Sequence, residues 1–383
     1  MSLPLRSTAW PVQIELMSRP SSTLHIIGIV GLPNGYGGFE TLADNLLDSP
    51  ELIGRGVKIY SEHWLAKQQG GRYKNAELVP LRWRANGWQS VLFDSVGLWR
   101  ASRQGGVVLV LGTSATFWLP LLRRLFPRVR YLVNMAGLEW ARAKWGRIAR
   151  TLLKYNEAAA ARHAHVFIAD NQGLVDYVKA EYERESVLIA YGGDQFLTIS
   201  ADPSVFEQFQ LPPSYDFAMA RAQVDNNMEM ILQAYARSGL PLVFVSNWES
   251  NDYGREVRAR YSSHPNLYLV GPIYEAPKVK ALRSRVRMYV HGHSAGGTNP
   301  VLVESMWAGL PTAAFDVNFH RYTTRDQAFY FRTSAELESL SKSITKQSLD
   351  VCGASLRRIA EAAYSWHSIR SAYENIILKR PQQ

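Results

Sequence analysis

The sequence has almost no cysteine and no long apolar run. Its 383 residues contain a single cysteine, Cys352, which excludes an intramolecular disulfide framework and gives no sign of an oxidising compartment. The most apolar stretch, residues 107–122, is interrupted by glycine and proline and is shorter than the ~20 residues that span a bilayer. Residues 1–23 are broken by charged side chains, unlike a secretory signal. We therefore expect a cytoplasmic protein.

Acidic residues are scarce in the first half. Residues 1–190 hold 23 Lys and Arg against 15 Asp and Glu, the remainder holds 20 against 18, and the net charge is +10. A basic surface implies an anionic partner, which is a nucleic acid, a membrane surface or a phosphorylated substrate. The sequence contains no zinc, helix-turn-helix or ribonucleoprotein motif, which argues against nucleic acid.

Short apolar runs alternate with helical patterns along most of the chain. The runs lie at residues 24–30, 57–60, 107–111, 131–134, 166–169 and 187–190, and then at 217–220, 242–246, 267–270, 288–291 and 312–315. Continuous apolar runs between helices predict an α/β fold with parallel sheets covered on both faces. Ligands bind beyond the carboxyl ends of strands in such sheets, so the loops that follow strands are the candidate sites.

Glycine and proline between residues 191 and 214 divide the runs into two series. We predict two doubly wound, Rossmann-like domains that face each other across a cleft. The predicted organisation is an N-terminal extension (1–23), a first Rossmann-like domain (24–192), a second Rossmann-like domain (193–364) and a C-terminal amphipathic segment (365–383).

A glycine-rich loop follows the first predicted strand. Gly37 and Gly38 precede a predicted helix at Phe39, where backbone N–H groups suit a phosphate. The spacing matches neither the dinucleotide fingerprint nor a P-loop. A tight turn that simply requires glycine is an equal alternative.

A second loop precedes the helix that carries Glu304. Its donors, suited to a diphosphate, are Gly296, Gly297, Thr298 and Asn299. Glu304 would accept a hydrogen bond from a sugar or ribose hydroxyl; the alternatives are a structural turn and a charge that favours the helix dipole. His291 and His293 could form a metal pair, but no third ligand of matching spacing follows, so we predict no metal.

Arg221 directly follows another predicted strand. An arginine at a strand end that faces the cleft would neutralise a leaving diphosphate. The alternative is an ordinary surface charge.

Seven ordered motifs together resemble the retaining nucleotide-sugar glycosyltransferases of family four, which have the GT-B fold. The closest resemblance is to a subgroup with bacterial rhamnosyltransferases of polysaccharide assembly. The motifs are residues 35–41, 137–140, 143–145, 226–231, 271–274, 296–300 and 321–324. The chain departs from the family pattern at Gly296, Asn226 and Ala136, where a glutamate, a lysine and an acidic residue are usual.

The resemblance implies a metal-independent transfer of a sugar, with rhamnose the expected donor sugar, to a lipid-linked or saccharide acceptor. Arg221 and the loop 296–299 would stabilise the leaving diphosphate, Glu304 would bind the ribose, and the backbone near Ile273 would hold the base. Gly37 and Gly38 would face the diphosphate or the acceptor from the first domain. The resemblance implies that this first domain (24–192) binds the acceptor and the second (193–364) binds the nucleotide sugar, and that a C-terminal helix (365–383) crosses back to the first domain. Glu139 is a candidate catalytic base or acceptor contact; its alternative is a salt bridge with Arg142. The rival functions are a nucleotide-sugar epimerase of the same fold and a non-catalytic basic binding protein.

A helix predicted from Arg142 to Lys154 would carry a basic stripe beside an apolar one. The apolar stripe comprises Trp145, Ile148 and Leu152. Such a surface suits anionic lipid headgroups, which would bring the first domain to the inner face of the cell membrane. The alternative is a buried core face with a solvated basic back.

Overall fold

The computed structural model describes residues 23–33, 37–142 and 145–379. Two sheets dominate it. The first has the strand order β3-β4-β2-β1-β5-β6-β7-β8, and all its pairs are parallel except β3 with β4. Its strands are β1 Leu24–Ile27, β2 Val57–Glu62, β3 Arg72–Tyr73, β4 Ala76–Leu81, β5 Val107–Leu111, β6 Arg130–Asn134, β7 Val166–Ala169 and β8 Val187–Leu188.

The second sheet is entirely parallel, with the order β11-β10-β9-β12-β13-β14. Its strands are β9 Tyr215–Met219, β10 Leu242–Val245, β11 Leu267–Val270, β12 Val286–His291, β13 Thr312–Phe315 and β14 Phe329–Phe331. The two sheets lie within residues 24–188 and 215–331. The domain boundaries at residues 23, 192 and 364 stay predictions.

Helices connect the strands. Those of the first half are α1 Gly38–Leu47, α2 Pro50–Ile53, α3 His63–Gln68, α4 Ser90–Gln104, α5 Leu119–Leu125, α6 Arg147–His163 and α7 Gln172–Tyr182. Those of the second half are α8 Gln195–Thr198, α9 Ser204–Gln208, α10 Met228–Ser238, α11 Asp252–Tyr261, α12 Ala276–Arg283, α13 Pro300–Trp307, α14 Asn318–Thr324, α15 Ser334–Ser343, α16 Lys346–Ala363 and α17 Trp366–Leu378. Among the described residues, no helix is long and apolar enough to cross a membrane.

Both faces of each sheet are covered by apolar side chains. Successive strand residues point to opposite faces, so Leu109 and Val110 of β5 belong to two different buried clusters. In the second sheet, Val243 and Phe244 of β10 likewise belong to two different buried clusters. This two-sided burial explains why the strands appear as continuous apolar runs.

Helix α17 follows the second sheet in sequence but packs in the core of the first. Trp366 and Tyr373 are buried in the cluster that also contains the apolar residues of α1. The Tyr373 hydroxyl accepts a hydrogen bond from Asn134 Nδ2 at 2.8 Å. Arg130 donates to the carbonyl of Ile376 at 2.9 Å. The chain end is therefore fixed to the domain in which the chain begins.

Three strands were not predicted, namely β3, β4 and β14. Strand β4 alternates buried and exposed residues and contains Glu77 and Pro80, so it lacks the continuous apolar pattern of its neighbours. Strands β3 and β14 have only two and three residues. Conversely, β1 ends at Ile27 rather than at residue 30 because Gly28 adopts φ +97, where a Cβ would lie 2.0 Å from the Leu111 carbonyl oxygen.

The helix predicted from Arg142 begins only at Arg147. A 3₁₀ turn at Glu139–Ala141 comes first, and Arg142 and Gly146 have extended backbone conformations that cannot continue a helix. Ile148 is 88% exposed and Leu152 is half exposed. The alternative that these side chains form a core face is therefore wrong.

The buried carboxyl of Asp94 should make the stability of the fold depend on pH. Burial raises the pKa of Asp94 from 3.8 to about 7, against the opposing effect of the Ser114 hydroxyl that donates to it. The unfolded chain ionises near 3.8, so the buried carboxyl progressively destabilises the fold as the pH rises from about 4 to about 7.

We expect Asp94→Asn to remove this penalty. The melting temperature of the variant minus that of the wild type should increase between pH 4.5 and 7 and stay constant above it. Thermal unfolding across this pH range measures the difference. A difference that does not change with pH would contradict the assignment.

Candidate functional site

Two adjoining cavities lie between the sheets, at the carboxyl ends of their strands. The loop cavity, about 210 Å³, is lined by residues that include Arg142, Asp170 and Gly296–Thr298. The helix cavity, about 360 Å³, is lined by residues that include Gly37, Ile273 and Glu304. Arg221 is among the residues that line both. Parallel strands place the loops that follow them at one edge, which is why residues distant in sequence meet here.

Gly37 and Gly38 form the start of α1, and Gly38 lines both cavities. Gly37 has an extended backbone conformation, and a Cβ there would lie 2.3 Å from Glu40 Oε2, the end of a side chain. A Cβ on Gly38 would lie 3.2 Å from Pro300 Cγ of α13. Gly38 therefore allows the first domain to approach the helix that carries Glu304. The preceding residues 34–36 lie outside the described part of the chain.

The loop 296–299 already has protein partners for several of its polar groups. Thr298 is buried, and its N–H donates to Asp170 Oδ1 of the first domain at 3.2 Å. Asn299 Oδ1 caps α13 by accepting from Val301 N at 3.0 Å. The amides of Gly297 and Asn299 have no acceptor among the described residues. The backbone of this loop thus retains free donors, whereas the Thr298 amide is occupied.

Arg221 and Arg142 bring positive charge to the loop cavity from opposite domains. No described carboxylate lies within ion-pair distance of Arg221, and its backbone carbonyl accepts from Asn226 Nδ2 at 2.7 Å. Arg142 Nε contacts Glu139 Oε2 at 2.8 Å, and its Nη1 lies 3.8 Å from Asp225 Oδ2 across the cleft. The sequence indicated no role for Arg142 in the cleft, beyond a possible salt bridge with Glu139.

Glu139 itself does not line either cavity. Its two carboxylate oxygens accept from Arg142 and from Trp145 Nε1, the latter at 3.1 Å. The geometry agrees with the salt-bridge alternative, in which Glu139 orients Arg142. A catalytic role for Glu139 stays a prediction.

His293 lines both cavities and is a neutral imidazole. Its ring stacks on His291 with centroids 4.4 Å apart and an interplanar angle of 15°. Burial, followed by His320 and then by Arg221 and Arg142, lowers the pKa of His293 to about 3. No group of three or more His, Cys, Asp or Glu side chains in the described ranges is placed to hold a metal ion.

Glu304 is held by two residues that the sequence did not indicate. Its Oε1 accepts from Gln195 Nε2 at 2.9 Å, and its Oε2 accepts from Arg283 Nη2 at 2.6 Å. Gln195 Oε1 in turn accepts from Trp366 Nε1 of α17 at 2.6 Å. The carboxylate thus has a fixed orientation at the wall of the helix cavity, near Ile273. Arg283 and Gln195 have no sequence signal because they lie 21 and 109 positions from Glu304.

Comparisons with known proteins agree on the fold. A family model described as a domain of unknown function (DUF1972) matches residues 101–194. A sequence search of curated proteins found no match. Sucrose-phosphate synthase from Thermosynechococcus elongatus is similar in structure, with a TM-score of 0.75, 14% identity, and coverage of 93% of this chain and 98% of that one.

Two further structures extend this likeness. HepE from Anabaena, in complex with UDP and glucose, has a TM-score of 0.69 and 13% identity over 93% of this chain and 98% of its own. The pneumococcal O-GlcNAc transferase GtfA, in complex with UDP and GlcNAc, has a TM-score of 0.53 and 14% identity over 76% of this chain and 60% of its own. The predicted fold is confirmed: the chain is α/β and has the GT-B fold, in which two Rossmann-like domains face each other across a cleft.

Removal of the Glu304 carboxylate should destabilise the protein because Arg283 is buried. Glu304→Ala leaves that guanidinium without its partner, and we expect a loss of about 3 kcal/mol in the free energy of unfolding. Glu304→Gln keeps a hydrogen bond to Arg283 and should lose less. Urea unfolding measures both variants.

The matched control is Glu338→Ala, which breaks the exposed Glu338–Lys342 pair of α15. Its cost should stay below about 0.5 kcal/mol. Equal losses in Glu304→Ala and Glu338→Ala would contradict a buried ion pair at Glu304.

Proposed function

We propose that the chain is a retaining glycosyltransferase that moves a sugar from a nucleoside-diphosphate donor to an acceptor in cell-surface polysaccharide biosynthesis. One observation carries the proposal. Arg221 and Arg142, from opposite domains, line the same cavity as the glycine loop 296–299. Guanidinium groups and free backbone amides are the donors that bind diphosphates in proteins.

The two cavities accommodate the parts of such a donor. The nucleoside fits the helix cavity, where Glu304 accepts hydrogen bonds from ribose hydroxyls and the backbone near Ile273 faces the base. The diphosphate lies at Arg221, which borders both cavities, and the sugar enters the loop cavity beside Gly38 and His293. The structures of HepE and GtfA with UDP support a donor of this class.

The chemistry then proceeds on one face of the sugar. The bond between the anomeric carbon and the diphosphate oxygen breaks, and Arg221 and the amides of Gly297 and Asn299 stabilise the charge that develops on the leaving group. The acceptor hydroxyl attacks from the same side, and its proton passes to the departing phosphate oxygen. This route needs no protein nucleophile, so no pair of close carboxylates is required.

Membership of family four, and rhamnose as the transferred sugar, are parts of the proposal that rest on the sequence motifs. The epimerase alternative predicts a changed donor sugar without any acceptor. Analysis of the products with and without acceptor separates the two reactions, since a transferase releases the nucleoside diphosphate in proportion to the glycosylated acceptor.

A thermal-shift screen with dTDP-, UDP- and GDP-sugars identifies the donor. A ligand at 100 times its Kd should stabilise the protein by about 2.7 kcal/mol. Arg221→Ala should abolish this shift and reduce transfer by about 10²–10³-fold, because the leaving charge loses its principal cation. The matched control is Arg237→Ala, an exposed arginine of α10 outside both cavities. If Arg221→Ala and Arg237→Ala transfer sugar equally well, the assignment of the diphosphate site is wrong.

An exposed surface of α5 and α6 supports an acceptor at a membrane. We define this basic apolar face by the exposed residues Leu121, Leu125, Ile148, Leu152, Arg123, Arg124, Arg147 and Arg150. Helix α5 contacts the end of α6, where Arg123 donates to the carbonyl of His163 at 3.2 Å, whereas Ile148 and Leu152 lie at the start of α6, so the basic apolar face comprises two exposed groups of residues.

Charge complementarity favours an anionic bilayer as the partner of the basic apolar face. Residues 95–138 contain six arginines and no acidic residue. Exposed leucine and isoleucine beside arginine enter the headgroup region, where the guanidinium groups meet lipid phosphates. We therefore place the protein at the inner face of the cell membrane, where a lipid-linked acceptor would be available to the first domain.

Sedimentation with vesicles tests this membrane contact. The protein should bind vesicles that contain phosphatidylglycerol and not neutral vesicles. Replacement of Ile148 and Leu152 by Asp should reduce binding by at least about tenfold, at about 1 kcal/mol or more per residue. Val351→Asp, a change at an exposed apolar residue of α16 in the second half, is the control and should bind normally. Equal binding of neutral and anionic vesicles, or tight binding to nucleic acid alone, would contradict the proposal.

A further inference from the structure

The carboxylate of Asp170 comes from one domain and contacts the donor-binding loop of the other. Asp170 directly follows β7 and is only 4% exposed. Its Oδ1 accepts the Thr298 N–H at 3.2 Å, and its backbone carbonyl accepts the Thr298 hydroxyl. One residue of the first domain therefore accepts hydrogen bonds from both donors of Thr298, its amide and its hydroxyl, although the two residues lie 128 positions apart in sequence.

This contact requires glycine on the loop side. A Cβ on Gly297 would lie 1.8 Å from Asp170 Oδ1, closer than any nonbonded contact permits. Gly137 of the first domain also lies close to this loop, since a Cβ there would lie 3.1 Å from Gly296 Cα. The loop thus packs against the first domain along two consecutive residues, and its conformation depends on the presence of that domain.

Asn171 extends the same contact. Its Nδ2 donates to the Phe319 carbonyl at 3.0 Å and to Thr323 Oγ1 at 3.1 Å, and it lies 3.4 Å from Thr298 Oγ1. Its Oδ1 meanwhile caps α7 by accepting from Gly173 N at 2.9 Å. The side chain is therefore rigid, so the end of β7 holds the loop and α14 in one fixed relation.

Asp170 is also the one carboxylate among the residues that line the loop cavity, and the loop 296–299 has no carboxylate of its own. Burial raises the pKa of Asp170 to about 7, against the lowering effect of the Thr298 amide. Burial of an ionisable group at this cost would be unfavourable without the hydrogen bonds that the loop supplies.

We propose that Asp170 is a positioning residue that sets the conformation of the donor-binding loop, so that the first domain completes the diphosphate site. This inference rests on the proposed transferase function. The first domain then contributes in two ways: Arg142 lines the cavity, and Asp170 orders the loop whose amides face the leaving group.

Three variants separate the contribution of the Asp170 hydrogen bond from that of its charge. Asp170→Ala removes the acceptor for the Thr298 amide. Asp170→Asn keeps an oxygen in the same position but removes the charge. The matched control is Asp176→Ala, because Asp176 also bridges the domains, through Tyr322, whose hydroxyl donates to it at 2.7 Å, but at an exposed position outside the cavities.

Transfer kinetics should distinguish positioning from general stability. Asp170→Ala should lower kcat by at least about 30-fold and change the Kd for the free nucleoside by less than about threefold, because the nucleoside contacts lie in the second domain. Asp170→Asn should recover activity to within about fivefold of the wild type, and Asp176→Ala should stay within about twofold. Equal kcat in Asp170→Ala and Asp176→Ala would overturn the proposal.

Hydrogen–deuterium exchange tests the contact without any activity. The Thr298 amide, followed in the peptide that covers residues 293–299, should exchange at least about tenfold faster in Asp170→Ala than in the wild type, and at the wild-type rate in Asp176→Ala. Unchanged protection in Asp170→Ala would also overturn the proposal. If the wild type neither binds nor transfers a nucleotide sugar, the transferase function fails, while the exchange experiment still decides whether Asp170 holds the loop.

Discussion

Close backbone approach between the two domains is the constraint on which the site depends. Gly38 faces Pro300, Gly137 faces Gly296, and Gly297 faces Asp170. At each of these positions a Cβ would meet an atom of the opposite domain at 3.2 Å or less. Because these side chains are absent, loops at the carboxyl ends of both sheets come into close contact beside the two cavities.

The charges of the cleft are not fully paired with each other among the described residues. Arg221 has no described carboxylate partner, and His293 is neutral between two arginines. Glu304, in contrast, is held by Arg283 and Gln195. A cleft with fixed acceptors at one end, and with Arg221 unpaired among the described carboxylates, agrees with the proposed binding of a nucleoside diphosphate.

The excess positive charge of the first half divides between two places. Arg142 belongs to the cleft, where its partners Glu139 and Asp225 fix its position. The arginines of α5 and the start of α6 belong instead to the basic apolar face, beside Leu121 and Ile148. Exposed large apolar groups that accompany arginines are complementary to an anionic bilayer, which supports the proposed membrane contact.

The sequence by itself determined the fold class and the loops of the site. Continuous apolar runs placed most strands, because both faces of a parallel sheet are buried, and glycines after strands marked the loops at Gly37 and Gly296. Only the tertiary structure decided which groups those loops contact. The Thr298 amide meets Asp170, and Glu304 meets Gln195, across more than 100 positions in each case. Such contacts leave no periodic pattern, because they depend on how elements distant in sequence pack against each other and not on local conformation.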